Sequence, residues 1–463
     1  MATQKKNEVK SHADDGNSES TIDAMPTKEL FIDMLTRDIA LIPAIIDLVD
    51  NCADGAKKLR GDESLKGLWA RLNISSEEFR IADNCGGIDV ETARSYAFRF
   101  GRAAGAPSVK HSVGQFGVGM KRAIFKMGRN FRVESITTKS RFVVDVNVND
   151  WAQLPEWKFH FEELVEGKTQ DGNKVGTIVS VTSLQADVAE VFGLTTFETE
   201  LRNELKATLQ DPIARGLAVT LNGIPVNAEP MTMLSNEQLA PAYKKLVYKK
   251  MGKPVTVRLY CGLGRSGSRS DERAEAGWHV FCNGRLILEG DKSSVTGWRE
   301  ELDEVSIPGF HPQYNHLRGF AYFDSDDPSR LPWNTTKTGL NTDSAVYRAV
   351  KLEMMTLMRP VVDFLNRLKD EKQNKQDAEE KGPLESILED AKPTPVSTVA
   401  TRSLFVMPAL KEKSKPSGPT MQKIQYEAPL DDVLAVKKAI KATSFKEVGE
   451  KTFRYFYNAE VDE

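Results

Sequence analysis

Asp47, Asp50, Asn51 and Asp54 lie in the stretch AIIDLVDNCADGAKK, residues 44–58. Their spacing sets all four polar groups on one face of a helix. Ile45, Ile46, Leu48, Val49 and Ala53 are apolar, as in a helix packed into a core. Two further pieces carry chemistry. Asp83-Asn84-Cys85-Gly86-Gly87 ends a short predicted strand, Phe79 to Ala82, and Gly114-x-x-Gly117-x-Gly119 opens onto an amphipathic helix predicted from Met120 to Met127. A glycine loop feeding a helix N-terminus presents bare backbone N–H groups and the positive end of the helix dipole, which together make a phosphate cradle. The chain lacks GK[ST] after these glycines, so the cradle is not a Walker loop. Phosphates travel with magnesium, which takes oxygen ligands and often only one or two from protein. Asn51 and the neighbouring aspartates are candidates. Asp47, one turn earlier, is placed to orient or deprotonate a water for attack on a terminal phosphate. Asp83 is suited to accept a hydrogen bond from an exocyclic amine such as that of adenine.

These pieces need elements to hold them. The pattern from Lys28 to Lys58 is helical, with Pro43 in the first turn of a second helix, where its missing N–H costs nothing. Residues 91–113 read as a mobile polar stretch. Strands are predicted at FRVESITT, RFVVDVNV and GTIVSVTSL, then a helix-rich connector to about Gly216. A second strand-rich region follows with LAVTLNG, PVTVRLYCG, GWHVFCNGRLILEG and LRGFAYF. A loop over 324–342 and a long helix from about Asp343 to Lys369 close it. Residues 370–425 read as linker with a short helix. In the last forty residues SFKE, Ser444 to Glu447, is a capping box, with Phe445, Val448, Thr452 and Tyr455 on one helix face.

In this order the three pieces resemble the Bergerat-fold superfamily of gyrase, heat-shock chaperone, histidine kinase and MutL ATPases. Its helix motif E-x-x-x-N-x-x-D is matched by Asp47, Asn51 and Asp54, and its D-x-G-x-G motif by Asp83, Cys85 and Gly87. Its glycine lid is matched by Gly114, Gly117 and Gly119, and a later G-T strand motif by Gly176-Thr177. The resemblance implies Asn51 as magnesium ligand, Asp83 as adenine contact and residues 91–119 as a lid closing on ATP. Nucleotide contacts from Asp54, Gly87, Gln115, Phe116, Val118, Lys121 and Thr177 go with it. The motif departs from the family twice, with Asp47 for the usual Glu and Cys85 for the first glycine. A displacement of the order of 1 Å costs about a hundredfold in rate, so the shorter Asp47 implies slow hydrolysis. WNTTKTGL resembles the loop by which the ribosomal-S-five-like transducer domain of gyrase, MutL and the microrchidia (MORC) ATPases sends a lysine, here Lys337, to the terminal phosphate. GWHVFCNGRLI and GQFGVGMK are similar to microrchidia-type and related prokaryotic sequences.

The implied fold is α+β. A disordered tail (1–24) precedes a Bergerat sandwich (25–190) and a transducer domain (191–370), then a linker (371–425) and a helical C-terminal segment (426–463). The implied function is a magnesium-dependent ATPase acting as an ATP-switched homodimeric clamp, DNA being the commonest target of transducer-bearing relatives. A non-hydrolysing ATP-bound module is the alternative. A histidine kinase fits less well, because His12, in the polar tail, is the only upstream histidine.

Composition agrees with a globular chain. With 463 residues, 40% hydrophobic and 28% charged, and a net charge of −3, nothing pulls the whole chain toward nucleic acid. Cys52, Cys85, Cys261 and Cys282 show no zinc-type spacing, which fits free thiols in a reducing cytoplasm. No apolar run reaches the length of a membrane span. GLGRSG, Gly262 to Gly267, imitates a dinucleotide fingerprint, but the following SRSDERAEAG has no apolar face to pack on a sheet. It reads as a loop carrying Arg265, Arg269 and Arg273. The aromatics Phe453, Tyr455, Phe456 and Tyr457 either dock a partner or second protomer or fold back on the body.

Overall fold

The predicted helices form with small shifts at their ends. α1 spans Lys28–Arg37 and α2 Leu41–Arg60. Pro43 is the third residue of α2, where the backbone N–H would be an orphan in any case. The computed structural model describes residues 26–37, 39–61, 63–101, 112–114, 118–167, 172–250, 252–265, 275–302, 304–374, 381–408, 424 and 427–461. The expected N-terminal tail, with His12, lies outside them, as do Gln115, Phe116, Gly117, Arg269 and Arg273.

The described residues up to 408 make one compact unit. Its first sheet has eight strands: β1 Trp69–Ile74, β2 Phe79–Asp83, β3 Gly128–Ile136, β4 Ser140–Asn147, β5 Glu163–Glu166, β6 Gly176–Leu184, β7 Ala218–Leu221 and β8 Ile224–Val226. Their order is β5-β4-β3-β6-β2-β1-β7-β8, antiparallel except for β1 with β7. LAVTLNG, expected to begin the second strand-rich region, therefore extends the first sheet. Residues 90–97 are not a loose stretch: a helical turn, α3 Val90–Thr92, is capped by Asp89 and runs on as a wide turn, Ala93–Ala97. α4 Gly119–Met127 and α5 Val148–Gln153 follow, then α6 Ala186–Phe192, α7 Thr195–Thr208 and α8 Gln210–Ala214.

The apolar positions of α2 do what their pattern requires. Ala44, Ile45, Ile46, Val49, Ala53 and Ala56 are buried in one cluster with Leu72, Phe79, Phe125, Val133, Phe142 and Val181. Each fully buried large side chain contributes about 1.5–3 kcal/mol relative to exposure, so this cluster fixes the helix against the sheet. Gly55 brings α2 unusually near the next element, since a Cβ there would lie 2.7 Å from the Cys85 carbonyl oxygen.

β9 Thr232–Ser235 precedes a five-stranded sheet made of β10 Ala242–Tyr248, β11 Val255–Leu263, β12 Gly277–Cys282, β13 Arg285–Asp291 and, after the small β14 Glu300–Leu302 and β15 Val305–Ile307, β16 Leu317–Asp324. Its order is β10-β11-β16-β12-β13, with β12 and β16 parallel. Asn283-Gly284 joins β12 to β13 with φ of 49° and 83°, the left-handed pair a two-residue hairpin favours. The long helix α9, Ala345–Asn374, buries Met354, Met355, Met358, Val361, Val362 and Phe364.

The expected linker is partly folded. α10 Pro383–Asp390 is followed by β17 Lys392–Pro395, which pairs with β9. Leu384, Leu388, Val396, Val399 and Phe405 are buried. These scattered apolar residues lack periodicity over the charged run before them.

A second unit contains α11 Leu430–Ala439 and α12 Phe445–Glu460. Ser444 caps α12, accepting from the Glu447 N–H at 3.1 Å, while the Glu447 carboxylate accepts from the Thr443 N–H. The expected apolar face is only half realised: Val448 is buried, but Phe445 is 56% and Tyr455 78% exposed. No helix among the described residues is long and apolar enough to cross a membrane.

Candidate functional site

The stripe on α2 divides its tasks. Asp47 and Asp50 are buried, Asn51 is exposed and Asp54 is half-buried. A cavity of about 330 Å³ opens beside this face. Asp47 and Asn51 reach it from α2, Asp83, Cys85 and Gly87 from the end of β2, and Thr177 from β6. Gly114 and Val118, from the loop before α4, line it with Gly119, Lys121 and Arg122 from α4, and Thr335 and Lys337 reach it from the distant WNTTKTGL loop. The structure thus brings together every described sequence-derived site residue except Asp54, whose carboxylate points to the lid backbone. It accepts the N–H groups of Val113 and Gly114, each at 2.9 Å. Burial pushes the Asp54 carboxyl up, against the charge of Lys57 and these N–H groups, which favour its ionised form.

At the base of the cavity Asp83 Oδ1 accepts the Cys85 N–H at 2.7 Å and Oδ2 faces the Cys52 thiol at 3.4 Å. Burial raises the Asp83 pKa, opposed by hydrogen bonds from Cys85, Cys52 and the Thr177 backbone. Two glycines are required here by close approach. A Cβ on Gly87, at φ +68°, would lie 2.3 Å from the Ile136 oxygen, and one on Gly176 would lie 1.9 Å from the Asp83 oxygen. Cys85 is buried and its thiol is pushed up to about 12 by burial and by Asp83, so it is protonated and packs rather than reacts. All four cysteines are free and buried.

The end of the cavity that Lys337 reaches is dominated by ionic groups. Asp47 Oδ2 accepts from Arg122 Nη2 at 2.7 Å, and Oδ1 from Lys337 Nζ at 2.9 Å and Arg285 Nη1 at 3.4 Å. Asp50 Oδ2 pairs with Arg285 and with Lys337, the latter at 3.4 Å. Burial alone would raise the Asp47 carboxyl. The charges of Lys337 and Arg285, with hydrogen bonds from Lys337 and Arg122, outweigh it and hold the pKa below the usual range. Three cations face two carboxylates, leaving one net positive charge in a buried cluster. That is the sign an incoming phosphate needs. Lys121 adds to it from α4: its ammonium, pushed down to about 7 by burial, donates to the Ala97 carbonyl at 2.9 Å.

Arg122 and Arg285 escaped the sequence reading. Arg122 follows Lys121 in GMKRA, and its signal was the first turn of a helix opening from the glycine loop toward Asp47. Arg285 follows the Asn-Gly turn, whose only legible message was a hairpin.

Among the described residues no group of three or more His, Cys, Asp or Glu side chains could hold a metal ion. Magnesium does not require one, since it keeps several waters and adds phosphate oxygens to one or two protein ligands. Asn51 fits that need. Its amide faces the cavity beside Gly114, where a Cβ would lie 3.9 Å from Asn51 Oδ1.

Residues 39–177 match the family model described as Histidine kinase-, DNA gyrase B-, and HSP90-like ATPase. The match runs from just before α2 to Thr177, the segment that supplies most of the cavity's lining. It supports a Bergerat-fold, ATP-binding domain there. Among curated proteins, none matches this chain. A larger open groove, about 1520 Å³, passes Arg258, Tyr260 and Tyr322. Its arginine is already paired with Asp324 at 2.9 Å, and it lacks the convergence of glycine loop and ionic cluster.

Proposed function

We propose that the chain is a magnesium-dependent ATPase in which ATP binding drives a switch between separate and associated protomers. One observation carries the reading: Lys337, from a loop 290 residues along the chain, reaches Asp47 at the phosphate end of the cavity. A cation so placed can change partners when a terminal phosphate enters, and so report nucleotide state to the five-stranded sheet. That relation is the one implied for a transducer domain of microrchidia type.

In this reading Asp83 takes the adenine amine, lid amides and the α4 N-terminus take the phosphates, and Asn51 holds the metal. Magnesium, when bound, would offset phosphate charge. Asp47 orients the attacking water, and Lys337 with Lys121 stabilises charge developing on the terminal phosphoryl group. The associated state is a homodimer and DNA is the proposed object of the clamp, in a cytoplasmic setting. The C-terminal aromatics of α12 remain available to a protein partner.

A second reading, an ATP-bound module without turnover, draws on a specific fact: Asp47 is ion-paired on both oxygens. Steady-state ATP turnover of wild type and Asn51→Ala separates the two. Turnover that depends on Asn51 supports the ATPase, whereas tight binding without turnover supports the module. Size-exclusion chromatography with a non-hydrolysable ATP analogue tests the dimer, and an unchanged elution volume counts against it. DNA binding measured across salt concentrations, with and without that analogue, tests the clamp.

A further inference from the structure

The two oxygens of Asp47 are held by cations on unlike supports. Arg122, on Oδ2, belongs to the first turn of α4, and its backbone N–H is bonded to the Val118 carbonyl at 2.9 Å. Arg285, on Oδ1 and on Asp50, follows a turn fastened from three sides. Asn283 Nδ2 donates to the Ser112 carbonyl at 2.9 Å, its Oδ1 accepts the Ser325 N–H at 2.9 Å, and its own carbonyl accepts Lys57 Nζ at 3.1 Å. Both arginines are nearly inaccessible, 6% and 5% exposed. Lys337 differs. It sits at φ +56°, unfavourable for a side-chain-bearing residue, in a loop whose backbone bonds close on itself, Lys337 N to Asn334 O and Asn334 N to Gly339 O. Two of the cations are fixed to rigid elements, and the third is carried on a strained, self-contained turn.

We propose that Arg122 and Arg285 are positioning residues that clamp Asp47, so that Lys337 alone leaves for the terminal phosphate and uncovers Oδ1 for the attacking water. The proposal rests on the ATPase reading. A base must lie about 2.6–3.2 Å from the proton-bearing atom it serves, and a carboxylate one methylene short has little freedom to find that place by itself. Arg122 Nη2 holds Oδ2 at 2.7 Å, which leaves Oδ1 facing Lys337. Water then forms a bond to the terminal phosphorus, while the bond from that phosphorus to the bridging oxygen breaks. ADP leaves with the electron pair, and the water proton passes to Asp47 Oδ1 and on to solvent. Gly119 and Arg122 together fill the space beyond Oδ2, where a Cβ on Gly119 would already lie 3.2 Å from that oxygen. Arg122 therefore suits the shorter acid and would crowd a glutamate.

The test uses the full chain with steady-state turnover, and calorimetric affinities for ADP and for a non-hydrolysable ATP analogue. Arg122→Ala should lower kcat about a hundredfold, as a misplacement of the order of 1 Å does, with both affinities nearly unchanged. Asp47→Glu should lower turnover alone yet restore part of it in the Arg122→Ala background. Should Arg122→Ala lose ADP affinity, and with it the fold, Arg122→Gln is read by the same criteria. An unchanged kcat, a double variant no better than Arg122→Ala, or loss of analogue affinity with ADP affinity kept, which would make Arg122 a phosphate ligand, each overturns the clamp. Wild type that binds the analogue without turning over ATP overturns the ATPase reading and the clamp with it. Asn51-dependent turnover indifferent to Arg122 overturns the clamp alone.

Discussion

Lys337 Nζ stands 2.9 Å from Asp47 Oδ1, and both side chains are almost completely buried, 6% and 2% exposed. An ammonium taken out of water must be paired, and Asp47 and Asp50 supply that pairing. The lysine is thereby held in reach of the position proposed for the terminal phosphate rather than left in solvent, and its release requires a better anion.

Replacement of Lys337 follows from that arrangement. Lys337→Ala should weaken a non-hydrolysable ATP analogue about tenfold to a hundredfold, the range for hydrogen bonds to charged groups, while ADP affinity stays near wild type. Calorimetric titration with both nucleotides reads the difference. Equal loss for ADP would place the lysine elsewhere than at the terminal phosphate.

Lys121 should make nucleotide binding pH-dependent. Burial pushes its ammonium down to about 7, so above that pH it is largely neutral in the free protein. A phosphate beside it favours the charged form, and binding then takes up a proton. Affinity should fall as pH rises from about 7 toward 9, by at most tenfold per pH unit. Binding enthalpies in buffers of different ionisation enthalpy measure the uptake, and Lys121→Met should abolish it.

The motifs that line the cavity were legible because residue type is constrained locally: a carboxylate at Asp83, an amide at Asn51, glycines before α4. Lys337 was legible only through the resemblance, since nothing in its own surroundings marks a lysine that travels to another element. β1 was legible in principle and went unread: Ala70 to Ile74 alternates apolar and polar residues between Gly67 and Ser75, the pattern of a half-buried strand. The return of β7 to the first sheet is a long-range choice: a parallel partner for β1 is made by packing across α2 to α8, which no local pattern encodes. Arg122 and Arg285 were opaque for the same reason, as each is explained by a carboxylate on a different element.

Gly176 should tolerate no side chain. Gly176→Ala places a methyl group 1.9 Å from the Asp83 carbonyl oxygen, and both strands must part to admit it. Overpacking costs about 1–3 kcal/mol, seen as a lower denaturation midpoint together with weakened ATP binding, because the displaced backbone carries Asp83, the carboxylate proposed to meet adenine. Gly449, inside α12 with nothing within 4 Å of its would-be Cβ, is the control. There Gly449→Ala should stabilise that helix by about 0.5–1 kcal/mol, read as greater helicity by circular dichroism.

Asp50 binds no nucleotide in the proposed arrangement, so its replacement separates stability from chemistry. Its carboxylate is 3% exposed and is the main partner of Arg285, which is 5% exposed. Asp50→Ala strands that guanidinium with only the longer contact to Asp47, at 3.4 Å. Removing one partner of a buried pair costs about 3–5 kcal/mol, a large part of a typical domain's stability, and urea denaturation should show it as a lower midpoint. Replacing both members removes the stranded charge: Asp50→Leu with Arg285→Met should recover much of the loss, because well-packed apolar groups can substitute for a buried ion pair. A double variant as unstable as Asp50→Ala would mean that the pair holds the β12–β13 turn on α2 by directional bonding rather than by mutual neutralisation. Turnover of a refolded double variant should still be impaired, because the second arm of the Asp47 clamp would be gone.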